Sequence, residues 1–234
     1  MTKVKICGLQ DLPDALAAAK AGADFLGLVF VPTAPRRLAP EKAREIVRGV
    51  RERRQCPRLV GLFADQPLDE VRGIARELAL DYVQLCGSEG LRYCLEVGLP
   101  VMKTIHVDED ISQGAILPVL MANVDRHHRA GHLLVLEKRV PGAYGGTGQA
   151  FDWSIARWLA RSYPISLAGG LTPENVARAV REVAPWCVDV SSGVETDGHK
   201  DSARIRAFVE AVRAADRGRG RLSRRPDARR GAAP

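Results

Sequence analysis

Short β-branched or apolar runs alternate with amphipathic stretches along almost the whole chain, and this alternation constrains the fold more than any other feature. The runs are Val4 to Cys7, Phe25 to Phe30, Leu59 to Phe63, Tyr82 to Leu85, Val101 to Val107, Leu133 to Glu137, Ile165 to Ala168 and Val188 to Ser191. Between and after them lie helix-like stretches: Leu12 to Ala21, Pro40 to Arg53, Pro67 to Leu78, Ser88 to Val97, Ala115 to His127, Asp152 to Arg161, Pro173 to Val183 and Asp201 to Ala215. Many of the runs are apolar throughout, as strands are when both faces are covered. Asp11, Asp152 and Thr172 each precede a helical stretch with an N-capping side chain, and Pro173 suits a first helical position. Eight strand–helix repeats close most simply into a single (β/α)8 barrel over residues 1–215. The alternative, an open doubly wound sheet, usually has a Gly-x-Gly-x-x-Gly turn after its first strand; here that turn reads Cys7-Gly8-Leu9-Gln10.

Charge separates the barrel from the C-terminal segment. The net charge is +7, but residues 216–234 hold seven arginines and two aspartates, +5 of that total, leaving +2 for residues 1–215. This segment is rich in Gly, Pro and Ala and has almost no bulky apolar residue, so it reads as a disordered, solvated basic tail. A specific nucleic-acid partner is not expected. No apolar window is long enough to span a membrane, and Met1-Thr2-Lys3-Val4-Lys5 does not resemble a signal peptide, so a cytoplasmic protein is expected, as a monomer or homodimer. Five cysteines, an odd number with no Cys-x-x-Cys pair, argue against a disulfide framework. The histidines do not stand beside them as ligand pairs, which argues against a zinc site. No metal or cofactor is expected.

In such barrels the chemistry sits where the strands end. The first strand ends at Cys7, a residue that serves either as a small buried hydrophobe or as a base whose thiol is acidified by nearby cations. Lys5 shares its side of the strand. The sixth strand ends at Glu137, either a carboxylate paired with Lys138 or Arg139, or an acid. Three loops are rich in glycine and hydroxyl groups: Gly145, Gly146, Thr147 and Gly148; Gly169 and Gly170; and Ser191, Ser192 and Gly193. Each alone reads equally as a tight turn. Together, at adjacent strand ends, they point to a phosphate held by backbone N–H groups and hydroxyls.

These segments resemble phosphoribosylanthranilate isomerase of tryptophan biosynthesis from about Lys3 to Ala215. The resemblance rests on Val4-Lys5-Ile6-Cys7-Gly8-Leu9, Gly22 through Phe30, Val60-Gly61-Leu62-Phe63, Val83-Gln84-Leu85, Tyr144 through Gly148 before Phe151-Asp152-Trp153, Leu167 through Leu171, and Asp189 through Glu195. It implies an Amadori rearrangement of N-(5-phosphoribosyl)anthranilate to 1-(2-carboxyphenylamino)-1-deoxyribulose 5-phosphate, an aldose–ketose isomerisation by general acid–base catalysis. It also implies Cys7 as the base, Arg36 as the partner of the anthranilate carboxylate, Asp189 as a further substrate contact, and the three loops as the phosphate site.

Three positions depart from the family pattern. The family's acid is an aspartate, and Glu137 stands in its place. The extra methylene moves the carboxyl by about 1 to 1.5 Å, a displacement that costs on the order of 100-fold in rate if nothing compensates. A retuned acid, a slow enzyme and a paralogue with another substrate are the three outcomes. Cys86 replaces a usual histidine, and Ala34 a usual serine. The rival readings are a related phosphosugar isomerase or epimerase and a non-catalytic barrel that binds a phosphorylated ligand. A metal-dependent epimerase would need several strand-end ligands, and His106 is the only histidine at a strand end.

Overall fold

The computed structural model describes residues 1–107, 116–138 and 153–222. Strands β1 (Lys3–Cys7), β2 (Phe25–Val29), β3 (Arg58–Phe63), β4 (Tyr82–Leu85), β5 (Val101–Val107), β6 (Leu133–Lys138), β7 (Ile165–Leu167) and β8 (Cys187–Val190) form a closed parallel barrel in chain order. The helices that cross between or follow them are α1 (Leu12–Ala21), α2 (Pro40–Arg51), α3 (Leu68–Glu77), α4 (Leu91–Glu96), α5 (Ile116–Arg129), α6 (Trp153–Leu159), α7 (Val176–Val183) and α8 (Ser202–Leu222). Between β8 and α8 a short hairpin, β9 (Glu195–Thr196) and β10 (His199–Lys200), stands over the strand ends.

The strand period divides the core in two. Val4 and Ile6 face the helices, in an apolar layer that also takes Leu134, Leu136, Val188 and Val190. Cys7, Val60, Met102, Val135, Ala168 and Cys187 face the barrel axis. The same parity turns Lys5, Glu137 and Asp189 inward. Phe25 packs on Tyr82 and Trp186, with ring centroids 5.6 and 5.7 Å apart, at the end of the barrel where the strands begin. There α8 clasps the N-terminus: Thr2 donates from its backbone N and Oγ1 to Asp216 at 2.7 and 2.8 Å, and Arg213 donates to the Thr2 carbonyl at 2.5 Å.

Several local expectations change. The last helix does not end at Ala215 but runs on to Leu222, because Asp216 is anchored to Thr2 and Arg219 reaches the Val180 carbonyl. Asp11 caps α1 as expected, accepting from the Asp14 N–H at 2.9 Å. By contrast α7 begins at Val176, not Pro173. Asn175 accepts from the Thr172 N–H and donates to the Gly170 carbonyl, both at 2.8 Å, and these local bonds hold Thr172 to Asn175 as a turn. Ser88 does not start α4; its N–H and hydroxyl both donate to Asp65 at 2.7 Å. Asp152 lies outside the described residues. The ground for setting zinc aside also changes: Cys94 meets His127 and His132, which stand five positions apart, in the buried layer behind β5 and β6. Burial, with His132 and the nearby cations, pushes His127 down to about 4. No described helix is long and apolar enough to cross a membrane.

Candidate active site

The register between β1 and β8 sets Lys5 opposite Asp189. Their side chains are 1% and 6% exposed and form an ion pair at 2.7 Å. Burial works to lower the Lys5 pKa, but the Asp189 carboxylate, helped by Cys7, outweighs it and pushes the ammonium up. Asp189 Oδ1 is buried with no hydrogen-bond partner among the described residues. Cys7, two residues beyond Lys5, closes the strand and is itself buried. Its thiol is pushed up, not down. Burial dominates, and the Lys5 and Lys200 cations only partly offset it. The expectation that cations would acidify the resting thiol is therefore corrected, because desolvation of a thiolate at this depth is the larger effect.

Above Cys7 the loops close through one glycine. Gly8 has φ +72°, and a Cβ there would meet Arg36 Cδ at 2.5 Å and Ser191 Oγ at 3.0 Å. Ser191 Oγ donates to the Cys7 carbonyl at 3.1 Å. Arg36, from the loop after β2, does not stand open. Its Nε and Nη2 grip the two Glu195 oxygens at 2.8 Å each. Lys200 joins the same carboxylate and donates to the Ser191 carbonyl at 3.0 Å. Burial would raise the Glu195 carboxyl, but Arg36 and Lys200 outweigh it and hold the group below its ordinary value.

Glu195 and Lys200 are site residues to which sequence reasoning assigned no role. The signal that could have found them is Asp197-Gly198, whose φ angles of +51° and +79° suit a tight hairpin turn that brings Lys200 back beside Glu195.

The opposite wall is built differently. The β5–β6 register sets His106 beside Glu137, which is buried at 5% exposure. Next to them Gln84 Nε2 donates to Thr104 Oγ1 at 3.2 Å, and both reach Cys86 Sγ at 3.5 Å. His106 Nε2 lies 3.0 Å from the Cys86 carbonyl. The Cys86 thiol is pushed up to about 12, first by burial, with Glu137 and Cys7 both adding to the shift. Cys86 therefore senses the charge of both candidate proton-transfer residues.

Two of the three glycine-rich loops come together. Gly169 and Gly170 turn at φ +90° and +63°. Ser192 to Val194 form a single 3-10 turn. Gly193 sits flush on the Leu171 carbonyl, where any Cβ would overlap the oxygen. Arg204 fastens the Gly193 carbonyl from α8 at 3.1 and 3.3 Å. Gly145, Gly146, Thr147 and Gly148 lie outside the described residues.

Comparison with known proteins agrees with this geometry. The family model for N-(5'phosphoribosyl)anthranilate (PRA) isomerase matches residues 4–211. The N-(5'-phosphoribosyl)anthranilate isomerase of Dehalococcoides mccartyi is 43% identical over 216 residues, 92% of this chain and 98% of the relative. That of a Roseiflexus species is 44% identical over 220 residues, 92% and 99% of the two chains. The crystal structure of phosphoribosyl anthranilate isomerase from Thermotoga maritima superposes with TM-score 0.77 at 32% identity, covering 92% of this chain and all of that one. A structure of the enzyme in complex with reduced 1-(o-carboxyphenylamino)-1-deoxyribulose 5-phosphate gives 0.75 at 31% identity, with the same coverage. The chain belongs to the N-(5'-phosphoribosyl)anthranilate isomerase family.

Proposed function

We infer that this chain isomerises N-(5-phosphoribosyl)anthranilate to 1-(2-carboxyphenylamino)-1-deoxyribulose 5-phosphate. The observation that carries the reading is the inward placement of both Cys7 and Glu137 at the strand ends of one barrel. Glu137 protonates the ribose ring oxygen, and the ring opens to a Schiff base. Cys7 removes the C2 proton, and the enolamine tautomerises to the ketone. Every step is a proton transfer, so the chemistry calls for no metal or redox cofactor. The glutamate is read as a retuned acid rather than a lost one.

Arg36, immobilised by Glu195, keeps Nη1 for the anthranilate carboxylate. Asp189, expected as a substrate contact, spends one oxygen on Lys5 and offers Oδ1 to a ribose hydroxyl. Gly169, Gly170, Ser191, Ser192 and Gly193, together with Gly145 to Gly148, hold the phosphate and so position the reacting carbons. The enzyme works in the cytoplasm as a monomer or homodimer. Purified protein given freshly made substrate should quench the anthranilate-type fluorescence as ketose forms. No turnover above background would sink the reading.

A further inference from the structure

The described residues bring three soft ligands together far from the strand ends. Cys94 comes from α4, His127 from the last turn of α5, and His132 from the residue before β6; all three are buried, at 2%, 3% and 7% exposure. Cys94 Sγ and one ring nitrogen of each histidine lie within 4.8 Å of one another. His127 Nδ1 and His132 Nδ1 are 3.0 Å apart, with ring centroids at 5.2 Å.

This geometry is close to what a tetrahedral ion demands. Zinc bonds of about 2.0–2.1 Å to imidazole and 2.3 Å to thiolate place the ligand atoms roughly 3.3–3.6 Å apart around a common centre. The two nitrogens need to part by a few tenths of an ångström, and the sulfur to close in by about one at most. One thiolate and two imidazoles form a borderline-soft donor set that suits zinc better than magnesium or calcium.

The surroundings carry charge that an ion would meet. Lys103 on β5 is the nearby buried cation, and it is already engaged: its ammonium is paired with Glu89 at 2.7 Å and donates to the Gly87 carbonyl at 2.8 Å. Cys94 Sγ sits 4.0 Å from the Glu89 carbonyl, so the sulfur already rests on a polar edge of the layer.

We propose that Cys94, His127 and His132 form a zinc site, with water in the fourth position, that staples α4 and α5 to the start of β6. Its role is structural. It anchors the strand whose far end presents Glu137, and it stands independently of the activity assigned above.

The test uses untagged, full-length protein stripped with a chelator and titrated with Co2+, then with Zn2+. The wild type should take up one equivalent of Co2+ with near-ultraviolet thiolate-to-cobalt charge-transfer absorption, which Zn2+ should bleach. Zinc at 100-fold excess over Kd should raise Tm by about 5–10 °C. Cys94→Ala, a mild change at a buried small side chain, should keep the fold by circular dichroism while losing both the absorption and the Tm shift. His132→Asn provides an independent ligand deletion and should lose the Tm shift likewise. Failure of folded wild type to bind Co2+ would overturn the site, as would charge-transfer absorption that survives Cys94→Ala undiminished.

Discussion

The two walls of the barrel mouth are built on opposite electrostatic plans. The wall made by β1, β8 and the β9–β10 hairpin is charged: Lys5 pairs with Asp189, and Arg36 and Lys200 both pair with Glu195. Among the described residues these three cations stand against two carboxylates, one positive charge in excess. Among the described residues, the wall made by β4, β5 and β6 carries a hydrogen-bonded set of Gln84, Cys86, Thr104 and His106 beside the carboxyl of Glu137. The difference sets two buried cysteines among different charges. Burial pushes both thiols up: Cys86 to about 12, with Glu137 and Cys7 adding and Thr104 and Lys5 opposing, and Cys7 with Asp189 adding and Lys5 and Lys200 opposing. The proposed roles follow this division: the thiolate on the charged wall at Cys7, proton donation from the wall that holds Glu137.

The largest way to break this contrast is to remove the anion it accommodates. Cys7→Ser should lower kcat/KM by about 10²–10⁴-fold while circular dichroism stays native. Near-normal turnover would remove Cys7 from the chemistry. On the other wall, Glu137→Gln should cost a loss of the same order, and Glu137→Asp should preserve or raise activity. A fully active Glu137→Gln enzyme would move the acid elsewhere, with Asp189 the next candidate.

A second contrast lies within the charged wall, between its depth and its rim. Lys5→Met strands the Asp189 carboxylate in the core and should destabilise the fold by about 3–5 kcal/mol in denaturant melts. Arg36→Lys, at the partly exposed rim, should cost under about 1 kcal/mol of stability and appear mainly as a raised KM. Equal stability losses would erase the distinction. Because burial holds the Cys7 thiol above its ordinary value, the thiolate fraction at neutral pH is small and grows about tenfold per unit below the pKa. The logarithm of the rate at which iodoacetamide alkylates Cys7, followed by peptide mass spectrometry, should therefore climb with a slope near one through pH 7 and 8. A plateau already reached at pH 7 would show that the cations win over desolvation.

How much of this was legible in the sequence depends on the range of the interaction. Alternation put Lys5 on the same side of its strand as Cys7, since strand parity is a local property that neighbours enforce; that this side, and Glu137 with it, turns to the barrel axis came only from the fold. The strand ends, and with them the Gly169-Gly170 and Ser191-Ser192-Gly193 loops, came out of the same pattern. The direction of the Cys7 shift did not, because desolvation depends on everything packed around the thiol. Arg36 was found, but not its grip on Glu195, which is 159 positions away and depends on a two-residue hairpin too short to show a period. His127 and His132 stand five positions apart, a spacing zinc ligands use, but Cys94 on α4 joins them only once the barrel closes, so no cysteine stands beside the pair in the sequence.

The central claim is that Cys7 on the charged wall takes the C2 proton and Glu137 on the opposite wall gives the ring-opening proton. Substrate deuterated at ribose C2 tests it most directly, with kcat measured for Cys7→Ser and Glu137→Gln. Cys7→Ser should show a large primary isotope effect, because cutting the C2 bond becomes rate-limiting. Glu137→Gln should show one close to unity, because ring opening becomes slow instead. Equal isotope effects in the two variants, or the reverse order, would contradict the division of labour between the two walls.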